Sequence, residues 1–243
     1  MLQKRDKNKI RAFKNKHLGQ RIFCIGAGPS LNKENLSLLN NEIIIFTNSS
    51  YKLLKHISPK SSYWLVQDND RIKELIDVNE TQFSSTFKSF HTLKDLEVKA
   101  YQNSVVLFPD IIIKKYKKII PYPEVLFNQL SFSENLEDRI DLTGSSVIFS
   151  AIQLAYYLGA SKIGLLGVDM SYSQDLKASY FDYNPSRVYF EPGTKEEYLV
   201  KRKPFFRFYK EFLFKKGVNC YNCSCETQED ELPKLSLESF LNS

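Results

Sequence analysis

A chain of 243 residues can bury a substantial core without disulfides or structural metals, which excludes explanations suited to small stapled scaffolds. Its make-up, 42% hydrophobic and 26% charged with nine glycines and nine prolines, excludes wholesale disorder and fibrous repeats. The net charge of +6 suits an anionic partner, but no groove-reading module or RNA-binding signature accompanies it, so nucleic acid is not expected.

The first 19 residues form a basic lead, with Lys4, Arg5, Lys7, Lys9, Arg11, Lys14 and Lys16 against one acid, Asp6. It lacks the apolar core of a signal peptide, and no apolar run approaches the ~20 residues of a membrane span. A cytoplasmic chain is expected, with the basic start available for peripheral contact with the inner membrane face.

Arg21 to Ile25 then reads as a buried strand stopped by Gly26. Leu31 to Leu39 reads as a short helix or helical turn, Glu42 to Thr47 as a second strand and Tyr63 to Gln67 as a third. Ser89 to Leu93 and Ser104 to Phe108 are weaker strand candidates, and 109–140, with three prolines, reads as an insertion or lid. Ser145 to Leu158 carries apolar residues at helical spacing, with Thr143 or Ser145 available as a cap and Gly159 as its stop. A strand Lys162 to Leu166, a second lid-like stretch near 171–195, a helix of about Glu196 to Lys216 and a strand Val218 to Asn222 complete the order.

Strands alternating with helices define an α/β class: a single Rossmann-like domain over 20–243, its mainly parallel sheet flanked by helices, with lid segments near 109–140 and 171–195. Ligands of such sheets bind outside the carboxyl ends of the strands. That rule selects Gly26 to Ser30, Asn48, Gln67 to Asp70, Asp169 and Asn222.

Four constellations at these places can carry chemistry. Gly26-Ala27-Gly28-Pro29-Ser30 would let a phosphate approach the backbone, with exposed N–H groups and the Ser30 hydroxyl as donors, or it is a structural turn. It meets neither Gly-x-Gly-x-x-Gly nor Walker spacing. Thr143-Gly144-Ser145-Ser146 opens a helix, where free N–H groups and hydroxyls favour an anion, and capping accounts for one or two of them. Asp169, at a strand end with Tyr172 in the following loop, can bind a ribose hydroxyl, orient a base, hold a metal or cap its own loop. Asp68-Asn69-Asp70 has the spacing of a cation-binding pair but is short enough to be a polar loop, and no metal site is assigned. Cys220, Cys223 and Cys225 lack the partners of a zinc site and read, with Cys24, as reduced thiols.

Together, Gly26 to Leu31, Asn48, Thr143 through Ile163 to Asp169, and Gly217 to Asn222 resemble the bacterial sialyltransferases of glycosyltransferase family 42. They also resemble the wider set sharing the 6-hydroxymethylpterin diphosphokinase MptE-like domain. The resemblance implies that Gly28, Ser30, Asn48, Ser145 and Ser146 contact a nucleotide-sugar donor, a CMP-linked co-substrate with no further cofactor; the strand-end rule and the constellations above add Gly26, Gln67, Asp68, Gly144, Asp169 and Tyr172 to that site. It departs from the sialyltransferases at Ala27, where they have asparagine, and in having no histidine after Thr143 to act as general base. Glu191, Tyr189 or Asp182 would then take the acceptor proton. The implied function is inverting, metal-independent transfer of a sialic-acid-like sugar to a glycan or glycolipid acceptor, lipopolysaccharide or capsule, by a chain that can form a homo-oligomer. Mg²⁺-dependent diphosphate transfer from ATP to a pterin-type alcohol, and nucleotide binding without catalysis, are the alternatives.

Overall fold

Short apolar runs stopped by glycine or asparagine, over Arg21–Ile25, Ile43–Thr47 and Lys162–Leu166, fold into parallel strands buried on both faces. The computed structural model describes residues 2–66, 85–89, 105–107, 130–138, 140, 146–170 and 198–243. Among them, seven strands form one sheet: β1 (Arg21–Ile25), β2 (Ile43–Thr47), β3 (Ser61–Val66), β4 (Ser85–Ser89), β5 (Val105–Leu107), β6 (Lys162–Leu166) and β7 (Asn219–Asn222). Their order is β5-β4-β3-β2-β1-β6-β7, with every pairing parallel.

Alternate side chains supply two cores, as the two-residue period of a strand requires. Ile22, Cys24, Ile43, Ile45, Tyr63, Leu65, Ile163 and Leu165 belong to one, shared with α2 (Val147–Tyr157) and α3 (Lys203–Lys215). Phe23, Ile25, Ile44, Phe46, Trp64, Val66 and Leu166 belong to the other, shared with three 3-10 turns (Pro29–Lys33, Leu36–Leu39, Asn48–Lys55) and α4 (Leu237–Leu241). The stretch expected as one helix over Leu31 to Leu39 is thus two 3-10 turns, and β4 ends where the sequence placed its start.

Nearly all of α2 is buried, as a helix apolar all round must be. Its one long polar side chain, Gln153, is fully buried and satisfied: Nε2 donates to the Tyr209 hydroxyl at 2.8 Å, and Oε1 accepts the Ser133 N–H at 3.2 Å. In α3, Phe205, Phe206, Tyr209 and Leu213 form the inward stripe, with three of these rings set around Phe149. Proline at its first turn fits the helix start, and a single π-helical turn, Tyr198–Arg202, precedes it.

The lead over 1–19 is part of this architecture, which charge alone did not indicate. It folds as α1 (Leu2–Arg11), with Ile10 buried in the core. Lys7 and Arg11 pair with Asp138 and Glu137. The next residues close the carboxyl end of α2: the N–H groups of Asn15, His17 and Gly19 donate to the carbonyls of Tyr157, Leu158 and Gly159 at 2.9, 2.7 and 2.9 Å. Those are the carbonyls a helix end leaves without internal partners. Among the described residues, no helix is long and apolar enough to cross a membrane.

Candidate functional site

From β1 the sheet is built outward in one direction and from β6 in the other. The carboxyl ends of these neighbouring strands therefore flank a topological switch point, where ligands of open α/β sheets bind. Each strand ends at a glycine, and the two turns interlock. The Gly26 N–H donates to the Leu166 carbonyl and the Gly28 N–H to the Gly167 carbonyl, both at 2.8 Å. A Cβ on Gly26 would run into the Gly167 carbonyl, and one on Gly28 would lie 2.6 Å from the Asp169 carboxylate.

Ser30 completes the lock. Its N–H and hydroxyl donate to the two oxygens of Asp169 at 2.8 and 2.5 Å. This geometry corrects the picture of the turn as an open cradle of amides. The N–H groups of Gly26, Gly28 and Ser30 are engaged, Pro29 has none, and Ala27 supplies the one without a partner among the described residues. The glycines permit the close packing of β1 on β6.

The interlocked turns form one side of an open cleft of about 280 Å³, lined also by Asn48, Ser146 to Ile148, Met170 and Arg202. Its floor is held from beneath by the segment after β7. Asn222 Nδ2 and the Thr227 hydroxyl donate to the Val168 carbonyl, Ser224 Oγ accepts the Val168 N–H, and the Gln228 N–H donates to the Asp169 carbonyl. Asn222, which the strand-end rule selected, thus supports the site from below. Beside it, burial raises the carboxyl pKa of Glu229, whose oxygen accepts the N–H groups of Glu231 and Leu232.

Asn48 stands at the end of β2 with φ +47°, a left-handed conformation that asparagine tolerates. A capping box between Thr47 and Ser50 fixes it, and the Trp64 indole donates to its carbonyl at 2.8 Å. Its side-chain Oδ1 is buried with no hydrogen-bond partner among the described residues. Ser146 is the N-cap of α2, but its hydroxyl makes no capping bond, so capping does not account for it. Met170, which lines the cleft, also has positive φ, +49°, which is uncommon for a side chain of its size.

Arg202 lines the cleft, and sequence reasoning did not single it out as a site residue. It is the N-cap of α3, where the helix dipole disfavours a cation; that mismatch was the available signal. Among the described residues, its buried Nε has no partner, and its Nη1 meets only the weak acceptor Met170 Sδ at 3.8 Å. Gln67, Asp68, Gly144, Ser145, Tyr172, Asp182, Tyr189 and Glu191 lie outside the described residues, as do Asn69 and Asp70.

The cysteines lie apart from this chemistry. All four are free, and Cys24, Cys220 and Cys223 are buried. Burial pushes the Cys223 thiol up to about 12 and, with Glu34 nearby, the exposed Cys225 thiol up to about 11, so neither supplies a thiolate near neutral pH.

A parallel sheet with its cleft at the switch point defines a Rossmann-like α/β protein. Within that class, the chain belongs to the 6-hydroxymethylpterin diphosphokinase MptE-like family, whose model matches residues 1–175. Among solved structures it is similar to the monofunctional alpha-2,3-sialyltransferase Cst-I from Campylobacter jejuni. That match has 18% identity over 93% of this chain and 82% of that one, with a TM-score of 0.52, and it shows a shared fold. The sialyltransferase CstII of the same organism matches at 16% identity over 90% of this chain and 86% of that one, with a TM-score of 0.48. No curated protein matches the chain in sequence.

Proposed function

We propose that this chain is a glycosyltransferase that takes a sugar, sialic-acid-like, from a CMP-linked donor held in the β1/β6 cleft. The observation that carries this reading is a pair of buried polar atoms, Asn48 Oδ1 and Arg202 Nε, on two residues that line one cleft and without a partner among the described residues. Buried polar atoms in folded proteins are almost always satisfied, so their partners are expected on a ligand. The resemblance of the sequence blocks to the sialyltransferases supports a cytidine nucleotide as that ligand.

In the transfer, the acceptor hydroxyl oxygen bonds the anomeric carbon while the carbon–phosphate oxygen bond breaks. The electron pair leaves with the nucleotide phosphate, and the acceptor proton passes to a base. Glu191, Tyr189 and Asp182 are the proposed candidates for that base. In sequence they fall between Met170 and Arg202, two residues that line the cleft. The acceptor is proposed to be a lipopolysaccharide or capsular glycan at the inner membrane face, and the working unit a homo-oligomer.

Family membership favours one other reading, Mg²⁺-dependent diphosphate transfer from ATP to a pterin-type alcohol. Each Asp169 oxygen accepts one hydrogen bond from Ser30, and among the described residues, which leave out Asp68 and Asp70, no group of three His, Cys, Asp or Glu is placed to hold a metal. Thermal shift with CMP, UDP, GDP and ATP, each with and without Mg²⁺, separates the two. CMP at a hundredfold excess over its Kd is expected to raise the Tm by roughly 5–10 °C without metal. A shift by ATP only with Mg²⁺ supports diphosphate transfer, and no shift by any nucleotide ends the donor reading. Donor hydrolysis in Glu191→Gln, Tyr189→Phe and Asp182→Asn then identifies the base as the variant that binds CMP but does not turn over.

A further inference from the structure

Cations crowd the start of α3, and all but one of those described there are matched. Lys203 pairs with Asp230 at 2.6 Å and lies 3.6 Å from Glu231, while Arg207 Nη2 pairs with Glu231 at 2.7 Å. Lys210 donates to the Glu231 carbonyl at 2.7 Å. Arg202 stands apart from this cluster. It lines the cleft, and among the described residues no carboxylate lies within ion-pair distance of it. Asp169, the described acid of the cleft, is committed to Ser30.

The local fields compound the imbalance. Arg202 caps the positive end of α3, and the first turn of α2, whose N-cap Ser146 also lines the cleft, contains no acid. A guanidinium with a buried, unmatched Nε in such a place lacks the planar, bidentate oxyanion that its fork of donors fits best.

We infer that Arg202 is the phosphate-binding side chain of this cleft, taking the phosphate of a nucleotide whose remaining contacts reach Asn48 and Ala27. The inference rests on the nucleotide reading above and assigns it a residue. The same phosphate carries one more negative charge after the sugar departs, so an arginine fixed there holds the leaving nucleotide more tightly than the intact donor.

The test compares cytidine, CMP and inorganic phosphate by calorimetric titration against the wild-type chain, Arg202→Lys and Arg202→Met. In the wild type CMP binds more tightly than cytidine. Loss of a charge-assisted contact makes that advantage roughly 10–100-fold smaller in Arg202→Met, and partly smaller in Arg202→Lys, while cytidine affinity changes less than about twofold. The unliganded Arg202→Met protein melts at the same temperature or higher, because it no longer holds a partly buried guanidinium without an acidic partner among the described residues. A merely structural arginine would lower the melting temperature and leave the phosphate advantage intact.

Inorganic phosphate binding that Arg202→Met abolishes, without any CMP preference, supports the anion site and removes the nucleotide as its source. CMP binding that is undiminished in Arg202→Met overturns the assignment alone. Failure of the wild type to bind any of the three overturns the assignment together with the donor reading.

Discussion

Gly26 and Gly28 occupy the same turn but resist substitution for different reasons. A methyl group on Gly26 meets the Gly167 backbone carbonyl, which is pinned by β6 and by the Gly28 N–H. On Gly28 it meets the Asp169 carboxylate, a side chain that can rotate at the expense of two hydrogen bonds from Ser30. Both alanine variants are expected to lower stability, by roughly 1–3 kcal/mol for Gly28→Ala and by more for Gly26→Ala, where only the backbone can yield. Urea midpoints at constant slope measure the difference, and equal losses would contradict the distinction. At this scale the sequence left the turn open between a phosphate contact and a structural role, and the structure shows the structural one. Glycines that suggested a phosphate cradle serve first to bring two strand ends together, because the partners they meet lie some 140 positions away. Asn48 was legible from its place at a strand end, whereas Arg202 was not. The cleft gathers it through tertiary packing that no local spacing reveals.

Among the elements, the turn between α1 and β1 bears on the pH response of the whole chain. His17 is buried, its Nε2 sits 2.6 Å from the Tyr63 hydroxyl, and its N–H closes the end of α2. Burial, with smaller effects from the charges of Lys16 and Lys60, lowers the imidazole pKa below its ordinary 6.5. As pH falls, the unfolded chain therefore takes up this proton before the folded one does. The stability contributed is complete above about 6.5 and declines as pH drops through the window between that value and the lower folded one. Denaturant midpoints at pH 7.5 and 5.5 should show this decline in the wild type and a smaller one in His17→Gln. Equal pH slopes in the two proteins would place the response elsewhere. The centre of the sheet was readable because β1, β2 and β6 are largely apolar on both faces and stop at Gly26, Asn48 and Gly167. The helix of the basic lead was not, since its described lysine and arginine pairs, Lys7 with Asp138 and Arg11 with Glu137, span more than a hundred residues.

For the molecule as a whole, the arrangement follows from one decision of topology: the sheet grows outward from β1 and β6 in opposite directions. The second core, reaching α4 at the end of the described chain, braces those two strands from the face opposite α2 and α3, with Phe240 set against Phe23 and Tyr221. The cleft is thus framed by rigid strand ends, while its polar side chains come from the loops and helix starts around them. Fold class was legible from pattern, because burial on both faces leaves a strong signal in composition. The matching of charges was not, because it is decided in three dimensions.

The interlocked turns also have a kinetic signature. In deuterated solvent, the amides of Gly26, Gly28 and Ser30 are already hydrogen-bonded before any ligand arrives. Their exchange should be slow in the free protein and little changed by CMP. The Ala27 amide should exchange quickly when free and slow on binding, so the occupied state would be written in a single proton of a turn that otherwise never opens.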